Sequence, residues 1–321
     1  MTSVVVRIPI SPSPNYLNRS VLLAHSAKRA GGELASARIQ AFVSPDRPAP
    51  PRQWVDHAVA SGLEWNGVPA DRFAEHSYGA TGIERFMSPV DADVLVLADA
   101  DLIFTGSLDD AIERSRSEGV LLGVTAYRSP FVQKSFGPRV SEDRRTCWKL
   151  LFDAVGVETP EFTSTHPSAY EQEWEPDVAQ CPPYFNYGML VMPPAVGARL
   201  GSTLYEEHRR ITTHFRGAHS GQLALATALA RKAIGSGELP IRFNFPNQEP
   251  YVDAYPGDYG DVRVLHYMSP GHFDKETDLD SMVSIEAWLG STPKNRVHAR
   301  LAEELHDANE VLAACPWNTP S

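Results

Sequence analysis

The segment Asp93–Ala98, DVLVLA, has after its first residue no polar side chain to turn toward water. A strand that is apolar on both faces must be covered on both faces, so this run calls for a mainly parallel sheet with helices packed above and below it. The surrounding chain is written to match. SVVVRIPI is short and β-branched, and after a proline-rich turn LNRSVLLAHSAKRAGG sets Leu17, Val21, Ala24 and Ala27 at helical spacing, with Gly31 as a stop. SARIQAFVS reads as a second strand and PRQWVDHAVASGL as a second helix, opened by Pro51; a polar loop and GIERFMSPV then lead into the apolar run. Ser107 with Asp110 forms a capping box for the helical LDDAIERSRSE, Gly119 ends that helix, and VLLGVTAY returns as a strand. Strand and helix alternate through the N-terminal half, which predicts a doubly wound α/β fold whose ligands sit outside the carboxyl ends of the strands.

The second half is less regular. Arg144–Val155 is helical in pattern, Glu158–Pro183 is a long polar loop rich in proline and aromatic residues, and YFNYGMLVMPP reads as one strand bounded by Pro183 and Pro193. Helices over Leu200–Thr213 and Gln222–Ile234 precede IRFNF and VRVLHYM. The end, Thr292–Ala314, is an amphipathic helix with Thr292 as N-cap, Pro293 at the first helical position, and Val297, Leu301, Leu305, Ala308 and Leu312 on one face. That face either packs on its own domain or covers a homodimer seam. No linker or repeat divides the 321 residues.

Charge narrows the partners. Lys and Arg number 29 against 40 Asp and Glu, a formal charge of −11, and no basic run would track a phosphate backbone, so nucleic acid and anionic membranes are excluded. MTSVVVRIPISPSPNY is interrupted by Arg7 and three prolines, and reads as neither a leader nor a membrane span. Cys147, Cys181 and Cys315 form no CxxC pair, which argues against disulfides and thiolate zinc and suits a reducing cytoplasm.

At the end of the apolar run stand Asp99 and Asp101. Residues two apart on a strand point the same way, so the pair converges if extended backbone persists through Ala100. Adjacent carboxylates repel unless a cation neutralises them, and a hard divalent ion, Mn²⁺ or Mg²⁺, bridging to a diphosphate is the economical solution. The plainer reading makes them loop aspartates beside a turn.

DADVLVLADADLIF resembles the DxD segment of GT-A fold glycosyltransferases, most closely glycosyltransferase family 8, in which a buried strand delivers two aspartates to manganese on the diphosphate of a nucleotide sugar. GIERFMSPV is similar to the family helix whose basic residue contacts the donor, here Arg85. YFNYGMLVM resembles the strand that places Asn186 by the donor sugar, HSGQLALATAL the helix start that places Gln222 beside the anomeric carbon, and VLHYMSPGHFDK the segment whose histidine completes the metal shell, here His266. The resemblance runs through roughly residues 4 to 275 in order. It implies a three-layer, Rossmann-like GT-A domain over residues 1–290, with a nucleotide-binding half, 1–125, an acceptor-binding half, 126–290, and the C-terminal helix, 291–321, packed on it. Ile8 and Pro9, ending the first strand, join the donor-binding residues. Gly221 stands where the family has an acid, and Gly271 follows His266 at a longer spacing without the family's lysine, proline and tryptophan, which leaves His272 or Lys275 as the cation for the diphosphate.

So read, the chain takes a sugar from a nucleotide diphosphate donor, of UDP type, to a carbohydrate or small-molecule acceptor. Asp99, Asp101 and His266 hold the metal, Arg85 and Lys275 balance the leaving charge, and Asn186 and Gln222 orient the sugar. No carboxylate base stands near Gln222 in sequence, which leans toward retention, although Asp177, Glu249 and Asp253 are unplaced. The loop Glu158–Pro183 offers aromatic faces to an acceptor. Three competing readings carry weight: a sugar nucleotidyltransferase, whose glycine-rich basic loop ISPSPNYLNRS lacks; an aspartyl-phosphate phosphatase, whose DxD follows the first strand; and a nucleotide-sugar binding protein without turnover.

Overall fold

The computed structural model describes residues 2–87, 89–132, 144–167, 169, 180–215, 219–268 and 273–318. Among them β1 (Val4–Ile10), α1 (Pro14–Ala30), β2 (Arg38–Val43), α2 (Arg52–Ala60), β3 (Leu63–Gly67), α3 (Ala70–His76), α4 (Tyr78–Met87) and β4 (Val94–Ala98) follow in order. The chain continues through β5 (Leu102–Phe104), α5 (Asp109–Glu118), β6 (Leu121–Thr125), α6 (Arg144–Ala154), β7 (Ser164–Thr165), β8 (Gln180–Cys181) and β9 (Phe185–Met192). It closes with α7 (Pro194–His214), α8 (Ser220–Arg231), β10 (Ser236–Glu238), β11 (Phe245–Pro246), α9 (Glu249–Ala254), α10 (Pro256–Gly260), β12 (Val264–His266), α11 (Met282–Leu289) and α12 (Arg296–Ala313).

The central sheet has 7 strands in the order β10-β6-β9-β4-β1-β2-β3. All pairings are parallel except those of β9, which runs antiparallel to both β4 and β6. Alternation along the strands divides the core between the two faces. Val4, Val6 and Ile8 with Val94 and Val96 meet α1 and α12 on one side, while Val5, Leu95 and Leu97 meet α4, α6, α7 and α8 on the other. The three-layer expectation from DVLVLA holds: every residue of β4 is buried.

Helix ends follow local chemistry where the side chains permit. Gly31 ends α1 at φ 76 and Gly119 ends α5 at φ 68, conformations that cost glycine no Cβ strain. The helices expected from Leu200 and Gln222 begin earlier, at Pro194 and Ser220, and two expected caps do not form. Helix α5 begins at Asp109 with Leu108 as N-cap, and Ser107 accepts from the Asp109 N–H at 3.0 Å, so the expected capping box does not close. Helix α12 begins at Arg296 because Asn295, not Thr292, caps it, its Oδ1 accepting from the His298 N–H at 2.7 Å. The polar stretch after α2 contains β3, which extends the sheet beside β2, and IRFNF divides into a 3₁₀ turn, Ile241–Phe243, and β11. Within Glu158–Pro183, β7 and β8 form a two-stranded pair, and residues 168 and 170–179 lie outside the described residues.

Val297, Leu301, Leu305, Ala308 and Leu312 are fully buried within the chain, α12 packing mainly on α1. The three cysteines are buried and free. Among the described residues no helix is long and apolar enough to cross a membrane.

Candidate active site

Strand β4 ends at Ala98, not beyond Ala100. Ala100 and Asp101 turn the chain into β5, which leaves the central sheet and pairs antiparallel with β12, so that His266 lies opposite Leu102. The two aspartates therefore converge through a turn and a second sheet (β11-β12-β5) rather than through continued extension. The Tyr267 N–H closes the corner on the Asp101 carbonyl at 3.1 Å.

The result is a compact donor set. Asp99, Asp101 and His266 each offer one ligand atom, and these atoms lie within 4.8 Å of one another. Asp101 is buried and Asp99 half-buried. Gly188 permits the convergence: a Cβ there would stand 2.8 Å from Asp99 Oδ2, 2.9 Å from His266 Cε1 and 3.0 Å from Asn186 Oδ1. The glycine of YFNYG is thus a space requirement of the cluster itself.

Cations surround the carboxylates. Burial alone would raise the Asp101 pKa, but His266 and Lys275, whose ammonium contacts Asp101 Oδ2, hold it well below the usual carboxylate range. Arg85 is fully buried on α4; it donates to the Ala98 carbonyl at 2.8 Å and lies 3.4 Å from Asp99 Oδ1, with the Tyr187 ring 5.3 Å away. It stands behind the DxD corner and braces it. In front, Pro9, Tyr16, Arg19, Tyr78, Asp99, Asp101 and Lys275 line a cleft of about 180 Å³. Ile8, expected beside Pro9 in the donor site, is fully buried and does not line the cleft.

Arg19 escaped the sequence reading. Its guanidinium lies over Tyr16, donates to the Lys275 carbonyl at 2.7 Å and pairs with Glu276 at 2.9 Å. The signal was a polar cluster, Asn15, Asn18 and Arg19, just before the apolar run Val21–Ala24 of the same helix, where all three are buried. Gly271, His272 and Asp177 lie outside the described residues, so Lys275 is the cation expected for the diphosphate that the structure places.

Asn186 and Gln222 come together in an adjoining cavity of about 230 Å³, with Tyr127, Tyr184, His219, Gln248 and Tyr251. Asn186 Oδ1 accepts from the Gly188 N–H at 2.9 Å, the backbone bond of the plainer reading, yet the side chain also faces the cavity. Gln222 Nε2 meets His219 Nδ1 at 3.0 Å, while its Oε1 is buried without a hydrogen bond. Glu249 and Asp253 are taken up by Arg296 at the start of α12. Among the described residues no carboxylate lines this cavity.

The sequence matches no family model and no curated protein. Solved structures do resemble the fold. The galactosyltransferase LgtC, in complex with donor and acceptor sugar analogs, superposes with TM-score 0.56 at 15% identity over 97% of both chains. The bifunctional glycosyltransferase WbbM superposes with TM-score 0.56 at 14% identity, over 93% of this chain and 51% of WbbM. The chain has the GT-A fold. On a GT-A sheet the Asp99–Asp101 corner lies at the carboxyl end of β4, beside the end of β1, the edge at which α/β sheets bind ligands.

Proposed function

We propose that the protein is a metal-dependent glycosyltransferase that moves a sugar from a nucleoside diphosphate, of UDP type, to an acceptor hydroxyl with retention of anomeric configuration. The observation that carries this reading is the convergence of Asp99, Asp101 and His266 at the ligand edge of a GT-A sheet, next to a cavity that holds Asn186 and Gln222. The donor set suits a divalent cation: two carboxylates and one imidazole fit Mn²⁺ better than Ca²⁺. Such an ion supplies charge neutralisation for the departing diphosphate.

The chain's own residues supply the rest. Lys275 and Arg19 border the cleft where diphosphate oxygens would lie, and Arg85 keeps Asp99 aimed from behind. Gln222 Oε1 faces the developing positive charge at the anomeric carbon, and Asn186 orients the ring. Breaking the anomeric C–O bond leaves charge on the phosphate oxygen, and the acceptor hydroxyl forms the new bond. With no described carboxylate in the cavity, that departing oxygen can itself take the acceptor proton, which supports retention. Tyr127, Tyr184 and Tyr251 present aromatic faces for a sugar acceptor. Free buried cysteines support residence in a reducing cytoplasm.

Purified protein should be stabilised against heat by UDP with Mn²⁺ far more than by either alone, and should hydrolyse a UDP-sugar slowly without acceptor. Asp101→Ala should remove both effects while retaining the fold by circular dichroism. Indifference of the melting temperature to every nucleoside diphosphate would overturn the donor site. Metal-dependent binding with no turnover would assign binding alone.

A further inference from the structure

His266 has two ring nitrogens, and only one can serve a metal beside Asp101. Nε2 lies 3.3 Å from Asp101 Oδ1, inside the cluster, while Nδ1 lies 2.8 Å from Asn244 Oδ1. An amide oxygen only accepts, so this contact puts a proton on Nδ1, and Nε2, the nitrogen turned to the cluster and to Asp101, is the one that can bind a metal once its own proton leaves. Asn244 is fully buried between the 3₁₀ turn and β11. Its backbone is held at both ends: the carbonyl accepts from the Tyr127 hydroxyl, and the N–H donates to the Ile241 carbonyl at 2.9 Å. The amide nitrogen is buried and makes no hydrogen bond, so the side chain is engaged at its oxygen alone.

We propose that Asn244 is a positioning residue for the metal site, fixing the Nδ1–H tautomer and ring orientation of His266 so that Nε2 is presented as the ligand. This rests on the metal reading above. The histidine backbone is set independently, by β12 pairing with β5 and by the Asn247 N–H on the His266 carbonyl at 3.1 Å. Asn244 therefore acts on the ring. Partners of this kind tune a metal-bound imidazole, and their loss weakens metal affinity by about 10- to 100-fold.

The substitutions are Asn244→Leu, which removes the acceptor at similar size, and Asn244→Asp, which keeps it and sacrifices no existing bond. Mn²⁺ affinity is read by electron paramagnetic resonance of free ion, and the His266 tautomer by ¹⁵N NMR of metal-free protein, assigned by difference against His266→Gln. Expected are a proton on Nδ1 of His266 in the wild type, at least about tenfold weaker Mn²⁺ binding in Asn244→Leu with loss of that Nδ1 proton in favour of Nε2–H alone, and retained binding in Asn244→Asp. Unchanged affinity and protonation in both variants would overturn the proposal, as would a wild type whose Nδ1 carries no proton, which also decides the matter if Asn244→Leu does not fold. A wild type that binds no Mn²⁺ would sink the metal reading separately; the tautomer shift then still tells whether Asn244 positions the ring.

Discussion

Gly188 shows at the scale of one residue how space specifies a site. Three polar side chains meet where its Cβ would be, and two of the approaches, 2.8 Å to Asp99 and 2.9 Å to His266, are closer than a real Cβ tolerates. In Gly188→Ala the aspartate and the imidazole must separate. The expected outcome is loss of the Mn²⁺-dependent thermal shift with the metal-free melting temperature falling by only a few degrees, a split that differential scanning fluorimetry resolves. A melting temperature unchanged together with full Mn²⁺ response would show that the cluster has room to relax. Such a glycine is visible in YFNYG as a letter, but the atoms it makes room for come from β4 and β12, far away along the chain.

Between elements, α3, α7 and α8 are joined by a buried polar chain that no periodicity announces. His76 Nδ1 and His208 Nδ1 are 3.0 Å apart, and His208 Nε2 meets Ser220 Oγ at 3.1 Å in the first turn of the helix that carries Gln222. Burial pushes the His208 pKa down to about 4, with His76 adding to it, and burial likewise lowers His76. His166, buried and held on the Ala126 carbonyl, is also pushed down by burial to about 4. These imidazoles are neutral when folded, whereas the unfolded chain protonates them near the ordinary histidine value of about 6.5. The unfolded state thus binds more protons between about 6.5 and 4, and stability falls as pH falls through that window. Urea melts at pH 7, 6 and 5 should show this decline, with a shallower slope in His208→Gln. An identical slope in that variant would remove His208 from the account.

At the scale of the whole molecule, α12 closes the face opposite α7. Leu305 is fully buried in the same core as α1, β1 and β4. Its truncation in Leu305→Ala is expected to cost about 2–5 kcal/mol, the range for emptying a packed leucine site, measured by chemical denaturation with the slope unchanged. Because α1 also carries Arg19 and Asn15, both bound to the Lys275 carbonyl, loosening of this layer should weaken nucleotide-dependent stabilisation as well. A loss of stability without any change in that response would mean the layer acts on the fold alone. The acidic surface and the inward-facing cations divide the labour: a chain of net charge −11 concentrates Arg19, Arg85 and Lys275 around two aspartates.

The layered sheet was legible because DVLVLA has, after its first residue, no face for water, and burial on both sides follows from that at once. The ordered series Arg85, Asp99, Asp101, Asn186, Gln222 and His266 was legible as a resemblance, since each residue lies at or next to the end of a strand or helix that the local pattern marks. What only the tertiary structure decided is how those ends meet. The aspartates converge through a turn into a second sheet, β3 hides in a polar stretch because pairing with β2 outweighs its weak pattern, and α12 starts at a cap chosen by packing. Arg85 braces the corner from the core, Arg19 enters the site from a helix whose polar start is its one local sign, and Asn244 enters from a loop position that carries none. Hydrogen bonds and excluded volume between residues distant in sequence set these contacts, and a linear pattern records periodicity, not proximity.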